Sequence, residues 1–69
     1  MKYSARNVLN GTIKHLTPGS VNTEVVIEVM PGVEIVSVIT KASSERLKLA
    51  VGKDVAAIVK ASNVMLAVE

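Results

Sequence analysis

The sequence predicts an all-β domain of five strands with one short helix between the third and fourth strands. Strand-forming valine and isoleucine supply much of the apolar content, which is 49% of 69 residues. Apolar and polar residues alternate along several segments, as a sheet with one buried face requires. Two Pro-Gly pairs, Pro18-Gly19 and Pro31-Gly32, separate the first three of these segments as turns.

Alternation defines the first three predicted strands. In residues 3–16, Leu9 and Ile13 share a side with Gly11, which marks a bulge or a close backbone approach. Residues 21–30 give the clearest strand, because Val25 and Ile27 occupy one face with three further members. The turn at residues 31–32 then leads into residues 33–40, giving a hairpin.

The third predicted strand carries apolar residues on both faces, since Val36 and Val38 lie opposite its other apolar positions. A small barrel has only one interior. These valines, together with Val8 and Val26, are therefore expected to contact a second subunit.

The helix is predicted within residues 40–49, where alternation stops and Thr40 or Ser43 can cap a helical turn. Asp54 begins a fourth strand, and Val64, Leu66 and Val68 complete a fifth. Three strands, a short helix and two strands is the order of an OB-like five-stranded barrel, here as a single domain covering residues 1–69.

Size and composition exclude several classes of protein. A chain of 69 residues buries only ~60% of its unfolded surface, and without cysteine it has no disulfides, so association with other copies is expected. The net charge of +2 includes no basic run, and Tyr3 is the single aromatic residue, which disfavours nucleic acid. No apolar run approaches the ~20 residues of a membrane span, and the start Met1-Lys2-Tyr3-Ser4 lacks the apolar core of a signal peptide, so we expect a cytoplasmic protein without a membrane partner.

The residues do not suggest an enzyme. His15 is the only histidine and has no motif around it. Glu24 and Glu28 share a strand face about 13 Å apart, too far for a cooperating acid-base pair. Asp54 is most simply a turn residue.

Binding of an oxyanion fits the remaining polar residues better. The candidate donors are the side chains of Ser4, Arg6, Thr40, Lys60 and Ser62, with backbone amides at Ala5, Val21 and Ala61. Two of them, Arg6 and Lys60, balance a tetrahedral dianion, and charge-assisted hydrogen bonds are about twice as strong as neutral ones. From residue types alone, surface cations, caps and turns explain the same positions better than a binding site does.

Three segments resemble the molbindins, small proteins that bind molybdate or tungstate. They are Ser-Ala-Arg-Asn at 4–7 followed by Gly11, Val-Asn-Thr-Glu-Val at 21–25, and Lys-Ala-Ser-Asn-Val-Met at 60–65. The resemblance implies ligands at subunit interfaces from Ser4, Arg6, Lys60, Ala61 and Ser62, with Thr40 and Val21 less securely placed. It also implies a homohexamer of three dimers that stores molybdenum, and a second class of site near a three-fold axis.

The metal is already coordinated by the oxygens of its oxyanion, so no protein residue is expected to bind it directly. No organic cofactor is expected either. Two other functions stay open from the sequence. One is an OB barrel that binds single-stranded nucleic acid. The other is an oxyanion-sensing module that acts beside a transporter or a regulator.

Overall fold

A computed structural model describes residues 2–69, so the first residue of the predicted domain lies outside the described part. Four strands and one helix follow in chain order: β1 (Asn7–Pro18), β2 (Asn22–Met30), β3 (Val33–Thr40), α1 (Lys41–Arg46) and β4 (Asp54–Val59). All three strand pairs are antiparallel, and the order across the sheet is β3-β2-β1-β4. The all-β class and the short helix after the third strand are therefore confirmed.

The core lies on one face of the two central strands. Ile13 on β1 and Val25 and Ile27 on β2 are buried, and partly buried apolar side chains from all four strands, with Leu49 from the loop after α1, pack around them. A bulge in β1 between Ile13 and His15 places Lys14 and His15 both in solvent while Leu16 returns to the core.

Helix α1 begins at a capping residue that the sequence indicates. The Thr40 hydroxyl accepts a hydrogen bond from the Ser43 amide at 3.1 Å. At the other end, Lys48 adopts a left-handed conformation (φ 55°), and the amides of Lys48 and Leu49 return to Glu45 and Ser44. This pair of bonds is the Schellman arrangement, which usually has glycine where Lys48 stands.

The prediction of a fifth strand is wrong. After β4 the chain forms a 3₁₀ turn at Ala61–Asn63, and residues 64–69 have no regular structure. Met65, Leu66 and Val68 are each more than 90% exposed. Alternating apolar residues form a strand only against a partner that accepts their backbone hydrogen bonds, and no neighbouring edge within residues 2–69 does so.

Four strands leave the sheet open, as a half-barrel, because no ladder joins β3 to β4 in the described chain. The concave side holds a cavity of about 300 Å³, lined by Ile13, Val25, Ile27, Ile35, Leu49 and Val55 among others. On the convex side, Val36 and Val38 are 62% and 64% exposed. Within residues 2–69, α1 and every other helical segment are too short to cross a membrane.

Candidate functional site

The first and last predicted binding segments lie side by side at one end of the β1–β4 ladder. Asn7 pairs with Val59 in the outermost register pair of these strands. Directly beyond this pair lie Arg6, just before β1, and Lys60, just after β4. Paired antiparallel backbones are about 5 Å apart, so residues that are 54 positions apart in the chain begin as neighbours here.

Both cationic side chains at this end are exposed. The salt bridge between Lys14 and Glu28, at 3.7 Å, is the one ion pair in the described chain, and it lies elsewhere on the sheet. Arg6 therefore has no carboxylate partner among residues 2–69, and neither does Lys60. Their charges are available to a ligand.

A surface groove of about 580 Å³ begins at Arg6 and continues along the strand ends. It is lined by Arg6, Asn7, Val8, Leu9, Val59 and Val64. The lining is apolar except at Arg6 and Asn7, so a second molecule can cover this surface beside Arg6.

Further donors accompany each cation. Ser4 is exposed and Ala5 is half-buried ahead of Arg6. Lys60 is extended and precedes the 3₁₀ turn without a side-chain cap, and Ala61 and Ser62 are exposed in that turn. The first amides of a helical turn have no acceptor within it, so the amides of Ala61 and Ser62 are suited to an anion.

Two other predicted site residues lie at the opposite end of the sheet. Thr40 pairs with Asn22 at the end of the β2–β3 ladder, and Val21 lies next to that pair. The Thr40 hydroxyl caps α1 and donates to the Ser43 hydroxyl at 2.8 Å. The carbonyl of Val21 accepts from the Lys41 amide at 2.8 Å. Within one chain these residues do not join Arg6 and Lys60.

A second surface cavity, at the other end of the β1–β4 ladder, is unsuited to an anion. Its volume is about 690 Å³, and its lining includes the carboxylates of Glu28 and Asp54. A dianion placed there meets like charge from both carboxylates. No group of three or more possible metal ligands occurs among the described residues either.

Sequence reasoning did not single out Asn7 within the Ser-Ala-Arg-Asn segment. Its side-chain amide donates to the Val59 carbonyl at 3.2 Å, across the outermost register pair. Asparagine is common in turns, where its side chain bonds to nearby backbone. An asparagine just before a predicted strand is therefore no signal for a long-range hydrogen bond.

Comparison with known proteins identifies the family. The TOBE domain model matches residues 3–66. The chain is 44% identical to a probable molybdenum-pterin-binding protein of Haemophilus influenzae, with 100% of both chains covered. It is also 52% identical to the molybdenum transport protein ModE of Azotobacter vinelandii, but there it spans only 26% of the longer protein.

Solved structures agree in fold. MopII from Clostridium pasteurianum superposes with a TM-score of 0.91 at 39% identity, covering 97% of this chain and all of that one. The cytoplasmic molybdate-binding protein ModG, solved with molybdate bound, gives a TM-score of 0.89 at 43% identity, covering 94% of this chain and 46% of ModG. The matches span nearly the whole chain in both sequence and fold, and they show that it is a TOBE domain of the molbindin family.

Proposed function

We propose that this chain binds molybdate as an intact oxyanion, with tungstate as an alternative ligand, and stores it in the cytoplasm. The observation that carries the proposal is the pairing of Asn7 with Val59, which brings Arg6 and Lys60 to one strand end without a carboxylate partner among residues 2–69. Relatives named for molybdenum and a relative solved with molybdate support the choice of ligand. The role is binding and release, without catalysis.

Charge balance explains why two cations are needed. Molybdate carries two negative charges, and removing an ion from water costs far more than neutral hydrogen bonds return. The guanidinium of Arg6 offers a planar fork of donors, whereas the ammonium of Lys60 offers a mobile point charge. Hydroxyls of Ser4 and Ser62 and backbone amides of Ala5 and Ala61 are the further donors that we propose from the same chain.

Val21 and Thr40 enter the same site only from another copy of the chain. Strand β1 is 12 residues long and lies between the two groups, a path of up to ~40 Å along the chain at about 3.3 Å per residue. A tetrahedral oxyanion is much smaller than this separation. If all eight predicted residues contact one ligand, two subunits share the site.

Self-association has independent support in residues 64–69. Leu66 and Val68 are 92% and 97% exposed, and each stabilises a fold by ~1.5–3 kcal/mol when buried. Their alternate spacing fits an extended segment, and the open concave cavity is apolar. We propose that residues 64–68 of one copy cover the concave face of a second copy, within the homohexamer of three dimers that the resemblance implies.

Storage and sensing differ in what happens after binding. The match to a quarter of the molybdenum transport protein ModE supports the second candidate, an oxyanion-sensing module that acts beside a transporter or a regulator, because the matching unit is part of a longer protein there. Storage predicts that cells lacking this chain retain less molybdenum after transfer to molybdate-free medium. Unchanged retention, with altered expression of molybdate uptake genes, would favour sensing.

Calorimetry tests the binding proposal. The protein is titrated with molybdate, tungstate, sulfate, a pterin and a short single-stranded oligonucleotide. We expect molybdate and tungstate to bind, and Arg6→Gln or Lys60→Gln to weaken them by roughly 10- to 100-fold, the loss of a charged hydrogen bond. Lys14→Gln removes the same charge elsewhere and serves as the control. Heat with only the oligonucleotide or only the pterin would refute the proposal.

Sedimentation tests the proposed exchange of residues 64–68. Leu66→Ser is expected to shift the wild-type oligomer toward smaller species, because it removes apolar area from the contact. Val51→Ser, at a residue that is 65% exposed in the loop before β4, is the control. An unchanged oligomer with Leu66→Ser would contradict the exchange.

A further inference from the structure

Asn7 ties the two cationic segments together at the point where the sheet ends. It is half-buried, and its side-chain amide donates to the carbonyl of Val59 at 3.2 Å. The two residues are also the outermost register pair of β1 and β4. The hydrogen bond therefore spans 52 positions of sequence directly between the two halves of the proposed site.

Beyond this pair the two segments make no further backbone hydrogen bond to each other among the described residues. Lys60 leads into a 3₁₀ turn, and Arg6 lies in a bend. Ends of ladders open with little free energy because few bonds hold them. Among the described residues, the Asn7 side chain supplies the side-chain hydrogen bond that adds to backbone pairing at this end.

We propose that Asn7 is a positioning residue for oxyanion binding. It acts by fixing the Val59 carbonyl, and so the backbone that carries Lys60, at a set distance from the backbone of Arg6. A dianion then binds two cations that are already in place, so less conformational entropy is lost on binding. This inference rests on the proposed function, since Asn7 has no positioning role without a ligand.

The same pair of strands offers a matched control. The hydroxyl of Thr12 donates to the Asp54 carboxylate at 3.3 Å, so it too is a side-chain link between β1 and β4. It lies five register pairs from Asn7, at the opposite end of the ladder. Loss of either link weakens the same sheet, but only loss of the Asn7 link frees the cations.

The test measures molybdate affinity and stability in parallel. Asn7→Ala is expected to weaken molybdate binding about fivefold or more, the factor for one net hydrogen bond. Thr12→Val is expected to lower the denaturation midpoint about as much as Asn7→Ala does. It is expected to change molybdate affinity less than twofold. Equal affinity of Asn7→Ala and wild type, or an equal loss with Thr12→Val, would overturn the inference.

A double-mutant cycle separates positioning from direct contact. If Asn7 acts through Arg6, Asn7→Ala reduces molybdate affinity by a smaller factor in the Arg6→Gln variant than in the wild-type protein. Fully additive losses would overturn the inference. If Asn7→Ala does not fold, the wild-type protein answers the question, because the Asn7 side-chain amide must stay bonded to Val59 with and without molybdate in NMR spectra. Transfer of that amide to the ligand would contradict positioning.

Both failures are distinguishable. Absence of molybdate heat with the wild-type chain refutes the proposed function. Binding by wild type that Asn7→Ala leaves unchanged refutes only the positioning role.

Discussion

Thr23 is the one described residue whose buried side-chain oxygen has no hydrogen-bond partner, and Thr23→Val should stabilise the protein. The residue is 1% exposed and lies on the core face of β2 beside Val25. A buried hydroxyl without a partner costs about 1–3 kcal/mol, and the added methyl group contributes up to ~0.8 kcal/mol when buried. Valine has nearly the same shape and favours strands, so packing is preserved.

The expected gain in the free energy of unfolding is about 1–3 kcal/mol, or ~4–8 °C in Tm for each kcal/mol in a domain of this size. Urea denaturation at fixed protein concentration measures it, because association shifts the midpoint. Thr17→Val is the control, since Thr17 is exposed on β1 and the change there should stay within about 0.5 kcal/mol. Destabilisation by Thr23→Val would show that the hydroxyl has an acceptor, and the reasoning would be refuted.

Two further changes test backbone geometry. In Gly11→Ala, the new Cβ lies 2.6 Å from the carbonyl oxygen of Glu28 and 2.7 Å from Ile27 Cγ2. The free energy of unfolding in urea should therefore fall by about 1–3 kcal/mol, and an unchanged value contradicts the close approach. Lys48→Gly removes the strain of a left-handed non-glycine residue, which costs ~1–2 kcal/mol. The greater flexibility of glycine in the unfolded chain offsets ~0.5–1 kcal/mol of this gain. The Tm should rise for Lys48→Gly and fall for Arg46→Gly within α1. A fall in Tm for both variants would exclude backbone strain at Lys48.

Local patterns predicted the elements whose side chains alternate without interruption. Strand β2 places Thr23, Val25 and Ile27 on the buried face, as its period of two indicates. The capping role of Thr40 also follows from residue type, because a threonine hydroxyl reaches the amide three positions later. Both features depend on neighbours within a few residues.

Features that depend on distant partners were not predictable. The bulge at Lys14 accompanies hydrogen bonds between Ile13 and the loop before β4, where Gly52 donates to Ile13 and Ile13 donates to the carbonyl of Lys53. The apolar alternation at residues 64–68 is present as predicted, but the described chain supplies no strand beside it. Alternation predicts which side chains are buried, but it does not predict whether the same chain or another copy covers them.

The candidate site shows the same division. Residue types and the family motifs indicated the segments at 4–6 and 60–62, and the register pair of Asn7 and Val59 brings those segments together. The sequence did not reveal that Val21 and Thr40 lie at the far end of β1, because strand length and register decide that separation.

Anomalous diffraction from a crystal of this protein grown with molybdate tests the central claim most directly. The account predicts a molybdenum peak within hydrogen-bond reach of both the Arg6 guanidinium and the Lys60 ammonium of one subunit. Ordered molybdate bound elsewhere, with both cations in open solvent in every copy, would contradict it.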